Sequence, residues 1–171
     1  METFVGPAAL LALVRDALLL RYSTYEEVCR YPAATKLCLA VAVLAGAATG
    51  FVLGAGDQIV EAVAIVFGIF VTFGILLFEA AIVWVLFRVI LRRAHTFGSV
   101  LRPLALAHAP RLGFLVVLFL EDRLALFLWS NVLRAWTFGA LLVALRALSG
   151  GSWILGILVG AVLSAIVWEF A

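Results

Sequence analysis

The chain has 171 residues, 67% of them hydrophobic and 13% charged, with a mean hydropathy of +1.24. Soluble domains carry about 45–50% apolar and about 25% charged residues, so this composition excludes an ordinary water-soluble fold and indicates an all-α, polytopic membrane protein. The net charge of +2, with no clustered basic stripe, leaves no electrostatic footprint for nucleic acid.

Residues 1–32 read as a cytosolic or interfacial N-terminal segment. The first positive charge, Arg15, follows the first apolar run instead of preceding it, so no cleaved leader is expected. Gly6 to Leu20 has the apolar length of an interfacial helix with Pro7 in its first turn. The alternative is a crossing in which Arg15 snorkels to the surface. Ser23 with Glu26, and Thr24 with Glu27, have capping-box spacing, which predicts a short polar surface helix over 25–30 that Pro32 ends. Cys29 and Cys38 have neither C-x-x-C spacing nor a neighbouring histidine cluster, so no zinc site or disulfide framework is expected.

Residues 33–171 read as one helical bundle of five transmembrane spans, over about 33–53, 59–87, 104–120, 124–148 and 152–170. In the first span Ala42, Gly46, Gly50 and Gly54 recur every four residues, a ridge of small residues that lets another backbone approach closely. In the second, Glu61, Gly68, Thr72 and Glu79 fall within about 20° of one line at ~100° per residue, so that stripe must face protein. The third span carries His108, Pro110 and Arg111. The proline frees the carbonyl of Leu106, which predicts a kink or break. The fourth carries Ser130, Asn131, Arg134 and Thr137 over one broad side, and the fifth has a second ridge in Ser152, Gly156, Gly160 and Ser164. The two ridges are candidates to face each other.

Basic residues set the expected orientation. With the N-terminus inside, Arg15, Arg21, Arg30, Lys36, Arg88, Arg92, Arg93, Arg102 and Arg146 lie on inner segments, and Arg123 alone on an outer one. The last span then ends outside.

The intramembrane charges need partners. Glu79 lies nine residues from Arg88 (88 − 79), and Arg111 nine from Arg102 (111 − 102), so both are expected about 13 Å above the inner boundary as an ion pair. Arg134, near the midplane, would share Glu79 or bond the carbonyls that Pro110 frees. Glu79, Arg111, Arg134, Asn131, Thr72 and His108 thus form the candidate polar cluster. The cluster is read first as structural glue and second as the lining of a path for an ion, proton or lipid headgroup. His108 without a matching carboxylate relay is a weak proton-path signal, and no second His or Cys pairs with it at metal-ligand spacing. No nucleophile elbow, H-E-x-x-H or phosphate-binding glycine loop is present, so no catalytic residue and no cofactor is expected. Of the five tryptophans, Trp84, Trp129, Trp136, Trp153 and Trp168, several fall near span ends, as interfacial anchors do.

The second half, SVLRPLALAHAPRL followed by LWSNVLRAWTFGALLVALRALSGGSWILGILVGAVL, resembles the Yip (Ypt-interacting protein) family of small membrane proteins in its bacterial form. The similarity lies in the x-A-x-A-P lead into the third span, here Leu106 to Pro110, and in the Trp-containing fourth span with Trp136 and Ala144 to Leu148. ALLLRYSTYEEVCRYPAATKLCLAVAVLAG also resembles that family's pre-membrane segment. The resemblance implies a Yip-type bundle in a bacterial inner membrane, with Pro110 as the helix break and Trp136 and Arg146 as fourth-span landmarks. Eukaryotic members act with small GTPases through a longer N-terminal region. About thirty residues precede the first span here, so GTPase binding is not carried over.

The expected function is that of a non-enzymatic membrane protein organising membrane components through protein or lipid contacts. Its partners would be the bilayer and a second copy or another membrane protein. A small transporter or channel lined by the intramembrane charges, and an accessory subunit of a larger complex, are the alternatives.

Overall fold

The computed structural model describes residues 7–54, 58–120 and 122–168, with side chains described except at 58, 59, 123 and 164–168. Helices α1 (Pro7–Leu18) and α2 (Tyr22–Arg30) precede a 3₁₀ turn at Pro32–Ala34 and helix α3 (Thr35–Gly54). Helix α4 (Gln58–Val85) ends in a π turn at Leu86–Ile90. Helix α5 (Phe97–Ala107) runs into a 3₁₀ segment, Ala109–Phe119, and α6 (Arg123–Leu148) and α7 (Trp153–Trp168) follow. Among the described residues the fold is all-helical. Among these residues four stretches are long and apolar enough to cross a membrane: Pro32–Gly54, Val60–Ile90, Phe97–Phe119 and Leu124–Leu148. Trp153–Leu163 is a shorter apolar helix.

The first and third stretches form the inside of the bundle. Their most apolar windows are 44% and 56% buried, against 17% for both α4 and α6, which flank them. The predicted stripe on α4 does turn inward: Gly68, Thr72 and Glu79 are buried, with Leu76, Ala80 and Val83 beside them. It meets the ridge on α3. A Cβ built on Gly46 would lie 2.8 Å from the Gly68 carbonyl oxygen, and one on Gly50 would run into the Ala64 carbonyl. A Cβ on Gly54 would come within 2.5 Å of the Glu61 Cα. Without these side chains the two backbones touch, which is how helices gain dispersion energy where lipid supplies no hydrophobic drive.

The second ridge does not face the first. Gly156 packs on the Arg146 backbone, where a Cβ would be 3.2 Å from its nitrogen, and Gly160 packs on Leu142 of the same helix. Short links make sequence neighbours into antiparallel spatial neighbours, so each ridge is used by the adjacent helix. Ser164 lies outside the residues whose side chains are described.

Two further expectations are corrected. The N-terminal polar helix lies at the surface with one face buried: Tyr25 and Val28 are fully buried against α5 and α6, and α2 starts at Tyr22 with Arg21 as an N-cap that makes no side-chain bond, so neither capping box forms. Burying Tyr25 and Val28, three apart on one face, outweighs the modest gain of a cap. The third stretch begins at Phe97 and not at Leu104. Thr96 caps it by accepting from the Ser99 N–H at 3.2 Å, and Arg102, which looked like a boundary charge, is turned into the protein.

Candidate functional site

The earlier start of the third stretch changes which side chains meet in the bundle. Counted from the π turn's end at Ile90, Glu79 is eleven residues in (90 − 79). Counted from Phe97, His108 is also eleven residues in (108 − 97). At ~1.5 Å per residue both sit about 16 Å from that end of the bundle.

The structure accordingly places the Glu79 carboxylate against His108, with Oε2 3.5 Å from Nε2 and both side chains buried. This contact replaces the expected Glu79–Arg111 ion pair. Helix α5 ends at Ala107, and the chain continues from Ala109 as 3₁₀ helix with Pro110 in its first turn. At three residues per turn, His108 and Arg111 stack on one side. The guanidinium therefore stays close enough for its charge to act on both members of the pair without forming the ion contact itself. Neither nitrogen of the His108 ring makes a hydrogen bond, so the imidazole is held by packing and by the carboxylate's field. A carboxyl and an imidazole at this distance can hold one proton between them and exchange it after a small side-chain movement.

The other expected members lie elsewhere. Thr72 is buried seven residues along α4 from Glu79 (79 − 72), about 10 Å away along the axis, in the glycine-rich contact with α3. Asn131 and Arg134 are exposed on the outer face of α6, where Asn131 donates to the Phe127 carbonyl at 2.8 Å. Arg134 therefore neither shares Glu79 nor reaches carbonyls near Pro110. Leu133, fully buried, takes the inward position on that turn.

Arginines read as topology signals turn out to be fasteners. Arg102 is 5% exposed and donates to the carbonyls of Val28 and Cys29, both at 2.6 Å, closing the C-terminal end of α2. Arg146 lies between the rings of Tyr22 and Trp153, 4.4 Å from each centroid, and donates to the Gly151 carbonyl at 3.1 Å. Arg93 donates to the Ser149 carbonyl at 2.7 Å. Three tryptophans also bond inward, Trp84 to the His95 carbonyl, Trp129 to that of Gly113 and Trp136 to that of Leu18. Pro103 lies inside α5, six residues after Phe97 (103 − 97), where a proline usually breaks a helix, so no signal in the sequence marks a helix start before Arg102. Outside the spans, burial raises the Tyr25 hydroxyl well above its usual range and pushes the Cys29 thiol up to about 12.

No family model, curated protein or solved structure matches this chain.

Proposed function

We propose that this chain is a non-enzymatic integral membrane protein that organises membrane components by lateral contact, with the outer face of α6 as the contact surface. One observation carries the reading. Arg134 is exposed together with Asn131, one turn away, and lies eleven residues from the start of α6 (134 − 123), near the middle of a hydrocarbon core. A guanidinium among acyl chains at that depth costs about 2.5–3.5 kcal/mol or more, and a second protein covering it removes that cost. In this reading the apolar helices from α3 onward cross a bacterial inner membrane five times, counting α7. The N-terminus is cytoplasmic, the last span ends outside, and α1 lies in the interface. The bundle is of the Yip type. The excess of basic residues on the inner segments and the motifs around Pro110, Trp136 and Arg146 support that arrangement.

The test is the mass of the protein released in native lipid. The wild type should run with at least one further chain, either a second copy or a partner of which this protein is an accessory subunit. Arg134→Leu should run as a single 18.4 kDa chain of undiminished thermal stability. A wild type of single-chain mass would remove the proposal.

A second reading, a small proton-linked transporter, is favoured by the buried Glu79–His108 pair. It requires solute or proton flux in liposomes that Glu79→Gln abolishes.

A further inference from the structure

The turn from α4 to α5 folds Arg88, Arg92, Arg93, Ala94, His95 and Thr96 around an open recess of about 450 Å³. Three arginines line it and no Asp or Glu does. In the N-terminal segment exposed arginines find acids: Arg15 and Arg21 share Asp16, and Arg30 pairs with Glu26. Here Arg88 instead leans on the Trp84 ring, 5.4 Å from its centroid, and Arg93 commits one nitrogen to the Ser149 carbonyl. Each is steadied by a contact that leaves further N–H groups of the guanidinium fork for a ligand.

The backbone of the recess is fixed as well. The Arg93 N–H donates to the Phe87 carbonyl at 2.8 Å, the His95 N–H to the Arg93 carbonyl at 2.9 Å, and the Trp84 indole to the His95 carbonyl at 3.1 Å. Arg92 itself is held at φ +50°, in the left-handed region that a residue with a side chain rarely adopts. Orienting a membrane protein needs positive charge near the inner surface, and arginines spread along a relaxed loop would supply it. It does not need them gathered around one recess. The left-handed residue here is the one that ends the helix, closed by the Arg93 N–H to the Phe87 carbonyl, and Leu20 (φ +52°) takes the same conformation after α1, so what distinguishes this turn is the gathering of its arginines.

The geometry points to a phosphate-binding site, in which Arg88, Arg92 and Arg93 receive the phosphate of an anionic phospholipid headgroup or of a soluble phosphate compound. Guanidinium forks match phosphate oxygens two at a time, and the first turn of α5, which begins just after Thr96, adds field of the same sign. His95 forms a wall of the recess. Burial lowers its pKa, a hydrogen bond to the Leu148 backbone opposes this, and Arg93 lowers it further, so the ring adds shape there and not charge.

The experiment uses the full chain in nanodiscs, with bound lipid read by native mass spectrometry. In a mixture of phosphatidylcholine and phosphatidylglycerol the wild type should retain phosphatidylglycerol on the order of tenfold over its share. Arg88→Gln with Arg92→Gln should lose that preference, and Arg15→Gln with Arg30→Gln, exposed arginines outside the recess, should keep it. Arg88→Lys with Arg92→Lys preserves the charge should the Gln variant fail to fold, and it should retain only part of the preference because an ammonium lacks the fork. Inorganic phosphate titrated into phosphatidylcholine nanodiscs separates the two sources. Saturable binding there that depends on Arg88 and Arg92, without lipid enrichment, assigns the site to a soluble phosphate compound. Enrichment equal in all four proteins, or neither enrichment nor phosphate binding, overturns the proposal.

Discussion

The imidazole of His108 and the carboxylate of Glu79 face each other at 3.5 Å from two different helical stretches, with no hydrogen bond to either ring nitrogen. Each group makes the other's burial tolerable. Removing one leaves an uncompensated polar group inside the bundle, whereas removing both leaves an apolar contact. Glu79→Leu and His108→Leu should each destabilise the protein by about 2–4 kcal/mol, and the double variant by less than their sum, with a coupling of about 1–3 kcal/mol. Denaturation of the four proteins in mixed micelles measures this. Additivity to within about 0.5 kcal/mol would show that the two groups do not support one another.

The glycine ridge on α3 separates two kinds of glycine. A side chain at Gly50 would meet the Ala64 carbonyl, a backbone group that cannot swing aside, whereas Gly74 on α4 has nothing within 4 Å of its missing Cβ. Gly50→Val should force α3 and α4 apart and cost about 3 kcal/mol or more. Gly74→Ala should stabilise by about 0.5–1 kcal/mol, because alanine loses less backbone freedom in a helix. Equal effects at the two positions would contradict the close approach of the helices.

Arg102 holds α2 in place through the carbonyls of Val28 and Cys29, with the Thr35 hydroxyl 3.4 Å from a third nitrogen. Arg102→Leu strands those carbonyls in the bundle and should cost about 2–4 kcal/mol. Arg102→Lys should recover only part of this, because an ammonium cannot span both oxygens in one plane. Limited proteolysis reports the same event locally, as cleavage between α2 and α3 appearing in the leucine variant at temperatures where the wild type resists it.

Cys29 gives a pH readout of the same region. Burial pushes its thiol up to about 12, partly offset by the neighbouring Arg102 charge. Only the thiolate is alkylated, so below that value each unit of pH raises the thiolate fraction and the rate about tenfold. Iodoacetamide labelling of Cys29, followed by peptide mass spectrometry, should be slow at pH 7 and still rising steeply at pH 10. A rate that levels off near pH 9 would mean that the thiol is not shielded.

The apolar runs, the inward stripe on α4 and the small-residue ridge on α3 were legible because each rests on one helix and its period. The partner of Glu79 was not. Its identity depends on where the next helix starts, and Arg102 with Pro103 was read as a polar boundary when that arginine is buried against α2. Counting from Arg102 instead of Phe97, five residues too late (102 − 97), and from Arg88 instead of Ile90, two too early (90 − 88), together moved the expected depth match by three residues, from His108 to Arg111. Arg134 was misplaced for a different reason. A charge in an apolar helix was assumed to turn inward, whereas a single chain does not hold the information about what surrounds it. The burial of α2 was hidden by its charged composition, since Tyr25 and Val28 alone face the bundle while Glu26 and Arg30 pair on the other side.

The outer face of α6 is where the account is most exposed to contradiction. Phe127 and Phe138 lie on the same side as Arg134, two turns and one turn away respectively, and both are exposed, as Gly74 is on α4. Spin labels on Phe127→Cys, Phe138→Cys and Gly74→Cys, in a background with Cys29 and Cys38 replaced by serine, report accessibility to a lipid-soluble quencher in native membranes. The account predicts that the labels at 127 and 138 are protected while the label at 74 is quenched, and that Arg134→Leu abolishes the protection. Labels at 127 and 138 as accessible to lipid as the one at 74 would contradict it.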